Sequence, residues 1–111
     1  GADNGERAAL ELLGRDAAPT AIFAVNDDNA FGVLAAAQRL GLRVPDDLSI
    51  VGYNDVELAA RLPVPLTSVR VPFERIAADA VSLLLRERQE VETRVSQPTL
   101  IPRASTTRPS R

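Results

Sequence analysis

TAIFAVNDDNAFG, residues 20–32, changes character within one residue. Ala21–Val25 is an unbroken apolar run of β-formers, and Asn26 starts a polar elbow that opens into a helical pattern. This predicts a buried strand whose carboxyl end leads directly into a helix. The junction has a second copy: Leu48–Tyr53 (LSIVGY) runs apolar and ends in Asn54-Asp55. Continuous apolar strands joined by a helix imply the α/β class, a parallel sheet with helices on both faces. Two neighbouring parallel strands ending in the same Asn-Asp pair place four hydrogen-bonding side chains on one rim, the place where ligands sit in open α/β sheets.

The rest of the chain fits around these junctions. Ala2–Leu13 reads as a helix, capped by Asp3 with Glu6 three residues on and stopped by Gly14. A second helix, Asp28–Leu40, takes Asn26 or Asp27 as its N-cap and Gly41 as its stop. Between Ala30 and Leu40 only Gln38 and Arg39 are strongly polar, so this helix is expected to be buried on two sides, one against the sheet and one against a second subunit. Val44–Asp47 is a turn and Val56–Arg61 a helical turn or two; Leu66–Val71 is an alternating, half-exposed third strand. Phe73–Glu90 is the longest predicted helix, with Phe73, Ile76, Ala77, Ala80 and Leu84 in one stripe. Gln89–Ser96 is a polar connector, Pro98–Ile101 a short last strand, and Ala104–Arg111 a loose tail.

Composition removes most chemistry. The 111 residues bound a single domain or a piece of one, and 13 basic against 15 acidic residues give a net charge of −2. No basic block is present to hold a nucleic-acid backbone, and no apolar run is long enough to span a bilayer. Cys and His are missing, and every cation is Arg. That excludes a thiol nucleophile, an imidazole base, a lysine Schiff base and the usual soft metal ligands. No cofactor or metal is expected, and an enzyme would have to run on carboxylates alone.

Taken one at a time, the candidate residues have ordinary readings. Asn26 is a good helix cap, a role that stabilises by about 1 kcal/mol. Asp27 and Asp28 complement the helix N-terminus, and Asp55 caps the short helix after it. Phe73 opens an amphipathic stripe and on periodicity alone is core. Asp46 and Asp47 in their Pro-containing turn are solvated, and Arg70 alternates outward as a solvated charge. The pairing of Asn26 with Asn54 on adjacent strand ends is what favours ligand contact over capping.

The blocks PTAIFAVNDDNAFG, LGLRVPDDLSIVGYND, PLTSVRVPFERIAADAVSLLL and LIPRAST, in that order from about Gly5 to Thr106, resemble the carboxyl-terminal part of lactose-repressor-type (LacI/GalR) transcriptional regulators. The resemblance implies a two-lobed, periplasmic-binding-protein-like (type I) effector core behind an N-terminal helix-turn-helix. On that reading residues 1–72 are most of the C-terminal lobe, without its first strand. Residues 73–97 form a hinge-crossing helix and connector that pack on the other lobe. Residues 98–104 return as a strand, and 105–111 are tail. The family's effector contacts match Asn26, Asn54 and Phe73, the last only through the resemblance. Phe31, Leu34, Ala35 and Leu58 are the expected dimer surface. The implied partners are a small polar, sugar-like effector, a second copy of the chain, and operator DNA through the helix-turn-helix. The implied location is the cytoplasm, with no membrane attachment. Three positions depart from the family: Asn54 stands where Asp is usual, Val71 where a polar residue is common, and Asn29 where an apolar one is common. An amide both donates and accepts, so Asn54 suits an effector acceptor where relatives meet a hydroxyl. A periplasmic sugar receptor of the same architecture is the alternative; the Pro-Leu-Thr-Ser-Val block argues for the regulator. A carboxylate-only hydrolase is the remote third reading.

Overall fold

The computed structural model describes residues 1–87 and 90–110. In chain order it comprises α1 (Ala2–Leu13), β1 (Ala21–Phe23), α2 (Asp27–Arg39), β2 (Ser49–Asn54), a 3-10 helix (Glu57–Arg61), β3 (Thr67–Arg70), α3 (Phe73–Leu85) and β4 (Thr99–Ile101). Among the described residues the sheet has the order β1-β2-β3-β4. β1, β2 and β3 are parallel and β4 returns antiparallel on β3. This is the expected α/β architecture, with each parallel crossover carried by helix.

The core forms where small residues let backbones meet. α2 lies on the sheet face that carries the buried Leu48, Ile50 and Gly52, through Ala30, Val33, Ala36 and Ala37. A second side of α2 is buried within the chain itself, against α1. A Cβ on Gly32 would stand 2.0 Å from the Ala2 carbonyl oxygen, and one on Gly5 would stand 2.2 Å from that of Asn29. The two helices therefore cross backbone against backbone, which only glycine permits. Glu6 is not a capping partner: the cap position of α1 is Gly1, no side chain caps it, and Glu6 reaches Arg39 of α2 at 2.8 Å. At its far end α2 closes as a Schellman turn. Gly41 (φ +69°) and Leu42 donate back to the carbonyls of Gln38 and Ala37.

Several local expectations change. Phe23 and Val25 are 67% and 76% exposed, so the apolar run of β1 is buried on one face alone. The amino half of β3 is fully buried because Leu66 binds back to Ala59 and Ser105 lies against Thr67. The tail is not loose where it begins. Ser105 is buried, accepts the Thr67 N–H at 2.8 Å and exchanges bonds with the Ile50 backbone, and Thr107 pairs with Ser49. Periodicity could not see this stitching, which uses hydroxyls and backbone in place of apolar side chains.

α3 ends at Leu85, five residues before the predicted end; Arg88 and Gln89 lie outside the described residues. Beyond Leu85 the sequence Arg-Glu-Arg-Gln-Glu offers no apolar face to extend the helix against anything. No residue of α3 is buried, and Leu84 in its stripe is 83% exposed. The helix projects from the body, giving a radius of gyration of 17.5 Å where a compact chain of this length has about 13 Å.

Candidate functional site

The carboxyl ends of β1, β2 and β3 form one rim. Phe23 pairs with Val51 and the ladder runs on through the Ala24 N–H to the Val51 carbonyl. Beyond this pair, Asn26 follows β1 as the N-cap of α2 and Asn54 is the last residue of β2. Arg70 is the β3 partner of Asn54, and the Val71–Pro72 corner then delivers Phe73 as the first residue of α3. The three expected ligand residues thus share an edge of the sheet.

They are not equally free to act. Asn26 caps α2: its Oδ1 accepts from the backbone N–H of Asn29 at 2.9 Å and from the Asn29 amide at 2.8 Å. Only its Nδ2 remains to meet a ligand, as a donor. Asn29, odd for the family, is explained by this second bond. Asn54 is half-buried and its side chain takes part in no hydrogen bond among the described residues. It stands at φ 109°, and Asp55 follows at φ 58°. Consecutive left-handed residues that are not glycine are uncommon, and such strain gathers at functional corners. Phe73 is 57% exposed, with no core role among the described residues.

Beneath the rim lies a polar frame that composition did not reveal. Asp27 is buried and does more than complement a helix end: its Oδ1 accepts the Ser68 hydroxyl at 2.7 Å and its Oδ2 accepts the Val56 N–H at 2.7 Å. One carboxylate thereby ties the start of α2 to β3 and to the chain leaving β2. Gly52 makes room for it, since a Cβ there would stand 2.1 Å from Asp27 Oδ1.

Asp55 does not cap the 3-10 helix, whose cap position is Val56 with no side-chain bond. Its side chain is 3% exposed, and Oδ2 accepts the Nε–H of Arg70 at 2.8 Å. Oδ1 lies 2.6 Å from Nη1 of Arg103, which also donates to the Leu66 carbonyl. Arg70 is thus paired within the chain. The signal in the sequence was the burial of an acid between two strands that each carry an arginine, and it needs the topology to be seen.

Arg103 first and Arg70 second hold the Asp55 carboxyl below the ordinary range, against the opposing effect of burial. A carboxyl with a lowered folded value stabilises above its unfolded pKa, and the stabilisation is lost as pH falls through the folded value. Asp55→Asn is therefore expected to cost about 2–3 kcal/mol at neutral pH. The gap between the two proteins should close on acidification below about pH 4. Denaturant unfolding across pH checks this; a gap that persists unchanged at the lowest pH would contradict it.

A family model described as the periplasmic binding protein-like domain matches residues 1–106. The chain belongs to that family. Within the family it is similar in sequence and fold to LacI-type transcriptional regulators. It is 39% identical over 107 residues to the HTH-type transcriptional repressor PurR of Erwinia tasmaniensis, covering 93% of this chain and 31% of that protein. The dimeric Lac repressor with an 11-residue C-terminal deletion superposes with a TM-score of 0.88 at 31% identity, over 98% of this chain and 41% of that one. A LacI family transcriptional regulator of Enterococcus faecalis with bound ribose superposes with a TM-score of 0.85 at 31% identity, over 95% of this chain and 40% of that one. The chain spans between 27% and 31% of the length of two of the curated relatives it matches. Among the described residues no helix is long and apolar enough to cross a membrane.

Proposed function

We propose that this periplasmic binding protein-like chain is the effector-sensing part of a cytoplasmic, non-enzymatic LacI-type repressor. Its rim forms one jaw of a cleft for a small polar, sugar-like metabolite. Asn54 is the principal contact, Asn26 adds a donor, and Phe73 supplies an apolar wall. α3 crosses to the opposing lobe, which would cover its exposed stripe, and the strand near β4 returns. Phe31, Leu34, Ala35 and Leu58, all partly or wholly exposed, form the surface for a second copy. DNA is held by a helix-turn-helix outside this chain. Closure of the jaws on the effector shifts the dimer between operator-bound and released states; couplings of this kind are about 1–3 kcal/mol, within reach of a few rim hydrogen bonds.

The observation that carries the reading is Asn54: a half-buried amide with no hydrogen bond among the described residues, at the carboxyl end of a strand whose parallel neighbour leads into the Asn26 cap. The ribose held by the Enterococcus faecalis relative supports a sugar-like class. In the full-length protein, Asn54→Ala is expected to weaken effector binding about 5–30-fold, the equivalent of one or two lost hydrogen bonds. Operator affinity without effector should be unchanged. Calorimetric titration with pentoses, hexoses and nucleosides is the measurement, and equal affinity of variant and parent would reject Asn54 as the contact.

A further inference from the structure

Asn54 and Asp55 are, among the described residues, the non-glycine residues with positive φ. Such a pair persists where its surroundings hold it on several sides. Here the Asp55 N–H donates to Ser68 Oγ at 3.1 Å and the following Val56 N–H donates to Asp27 at 2.7 Å. The Asp55 carboxylate then grips two arginines from different segments. Arg70 is the last residue of β3, immediately before the corner that leads out to α3. Arg103 lies two residues past β4, the strand by which the chain comes back. Its N–H is held by Thr67 Oγ1 at 2.9 Å and its guanidinium by the Leu66 carbonyl, so it is fixed to the root of β3 as well. Departing and returning segments are both fastened to the residue next to Asn54.

We propose that Asp55 is a positioning residue: it holds Asn54 in its left-handed turn and joins that turn to the roots of both segments that connect with α3, so a shift at the turn is passed to the two together. This rests on the reading of Asn54 as an effector contact. The two grips differ in kind. Arg70 meets Oδ2 at 2.8 Å from an exposed side chain, and Arg103 meets Oδ1 at 2.6 Å from a side chain that is itself largely buried.

Hydrogen–deuterium exchange on the full-length protein tests it without any ligand. Arg70→Gln, at an exposed side chain, keeps the fold; Asp55→Asn is the second variant. Both are expected to speed exchange at least tenfold in peptides covering 53–57 and 99–104, while peptides covering 21–24 and 49–51 stay as in the parent. Faster exchange at 66–72 alone would overturn the joint, because Arg70 would then be only a local ion pair. Uniform acceleration across the β1–β2 ladder would overturn it too, showing a general loss of stability. Asn54→Gly, which meets no steric cost at this φ, should leave peptides covering 99–104 as in the parent. If it also leaves effector binding intact, the joint stands and the effector reading falls.

Discussion

Asp27→Ala is expected to destabilise the domain by about 3–5 kcal/mol, because it strips two charge-assisted hydrogen bonds from a site sealed from water. The Ser68 hydroxyl and the Val56 N–H both lose their acceptor, and Ser68 is fully buried. Asp27→Asn should cost less, about 1–2 kcal/mol. The remaining oxygen can still take the Val56 N–H, and the new amide can donate to Ser68 Oγ, leaving one hydroxyl proton without a partner. The ranking matters more than either value. Urea unfolding gives it directly, and an Asn variant as damaged as the Ala one would show that charge, not hydrogen bonding, holds the frame. Gly52→Ala belongs to the same experiment: its new methyl strikes Asp27 Oδ1, so its cost should shrink once Asp27 is already Ala.

Gly32→Ala should lower stability by about 3 kcal/mol, against the sign that helix propensity alone would give. In an isolated helix the change gains about 1 kcal/mol. In this fold the methyl would meet the Ala2 carbonyl oxygen at 2.0 Å and the Glu6 nitrogen at 2.6 Å. Both are backbone atoms of α1, which no rotamer change can move aside. α1 must lift, and the Glu6–Arg39 pair and the packing of Ala9 are lost with it. A urea midpoint equal to or above the parent's would show that the helices can separate at no cost, contrary to their packing.

Both predictions concern contacts that the sequence conceals, while the architecture itself was legible. The switch from apolar run to Asn-Asp at residues 53–54 marks the end of β2, while β1 stops at Phe23, two residues before its apolar run does. The caps of α2 follow from Asn26 and Gly41 for local reasons of backbone geometry, and local rules survive folding. What failed was everything that depends on a distant partner. The small residues of α2 were right for burial but silent on what buries them, and α1 does so within the chain. Asp55 and Arg70 each look solvated in their own segments; they meet only because β2 pairs with β3. Ser105 reads as tail, since a hydroxyl carries no periodic signal, yet it is among the most buried residues. The candidate site was legible as a rim, through Asn26 and Asn54, but the cost of capping to Asn26, and the buried carboxylates beneath, were not.

The projection of α3 has a mechanical consequence. Its 13 residues make a rod of about 20 Å, rooted beside Arg70 and held part-way along by the Asp79–Arg94 pair. A tilt of about 10° at the root carries its far end through roughly 3.5 Å, so displacements too small to matter at Asn54 become large at Leu84. On the proposed reading the helix would act as the pointer of a gauge, turning what happens at a two-residue turn into a distance that the opposing lobe can register.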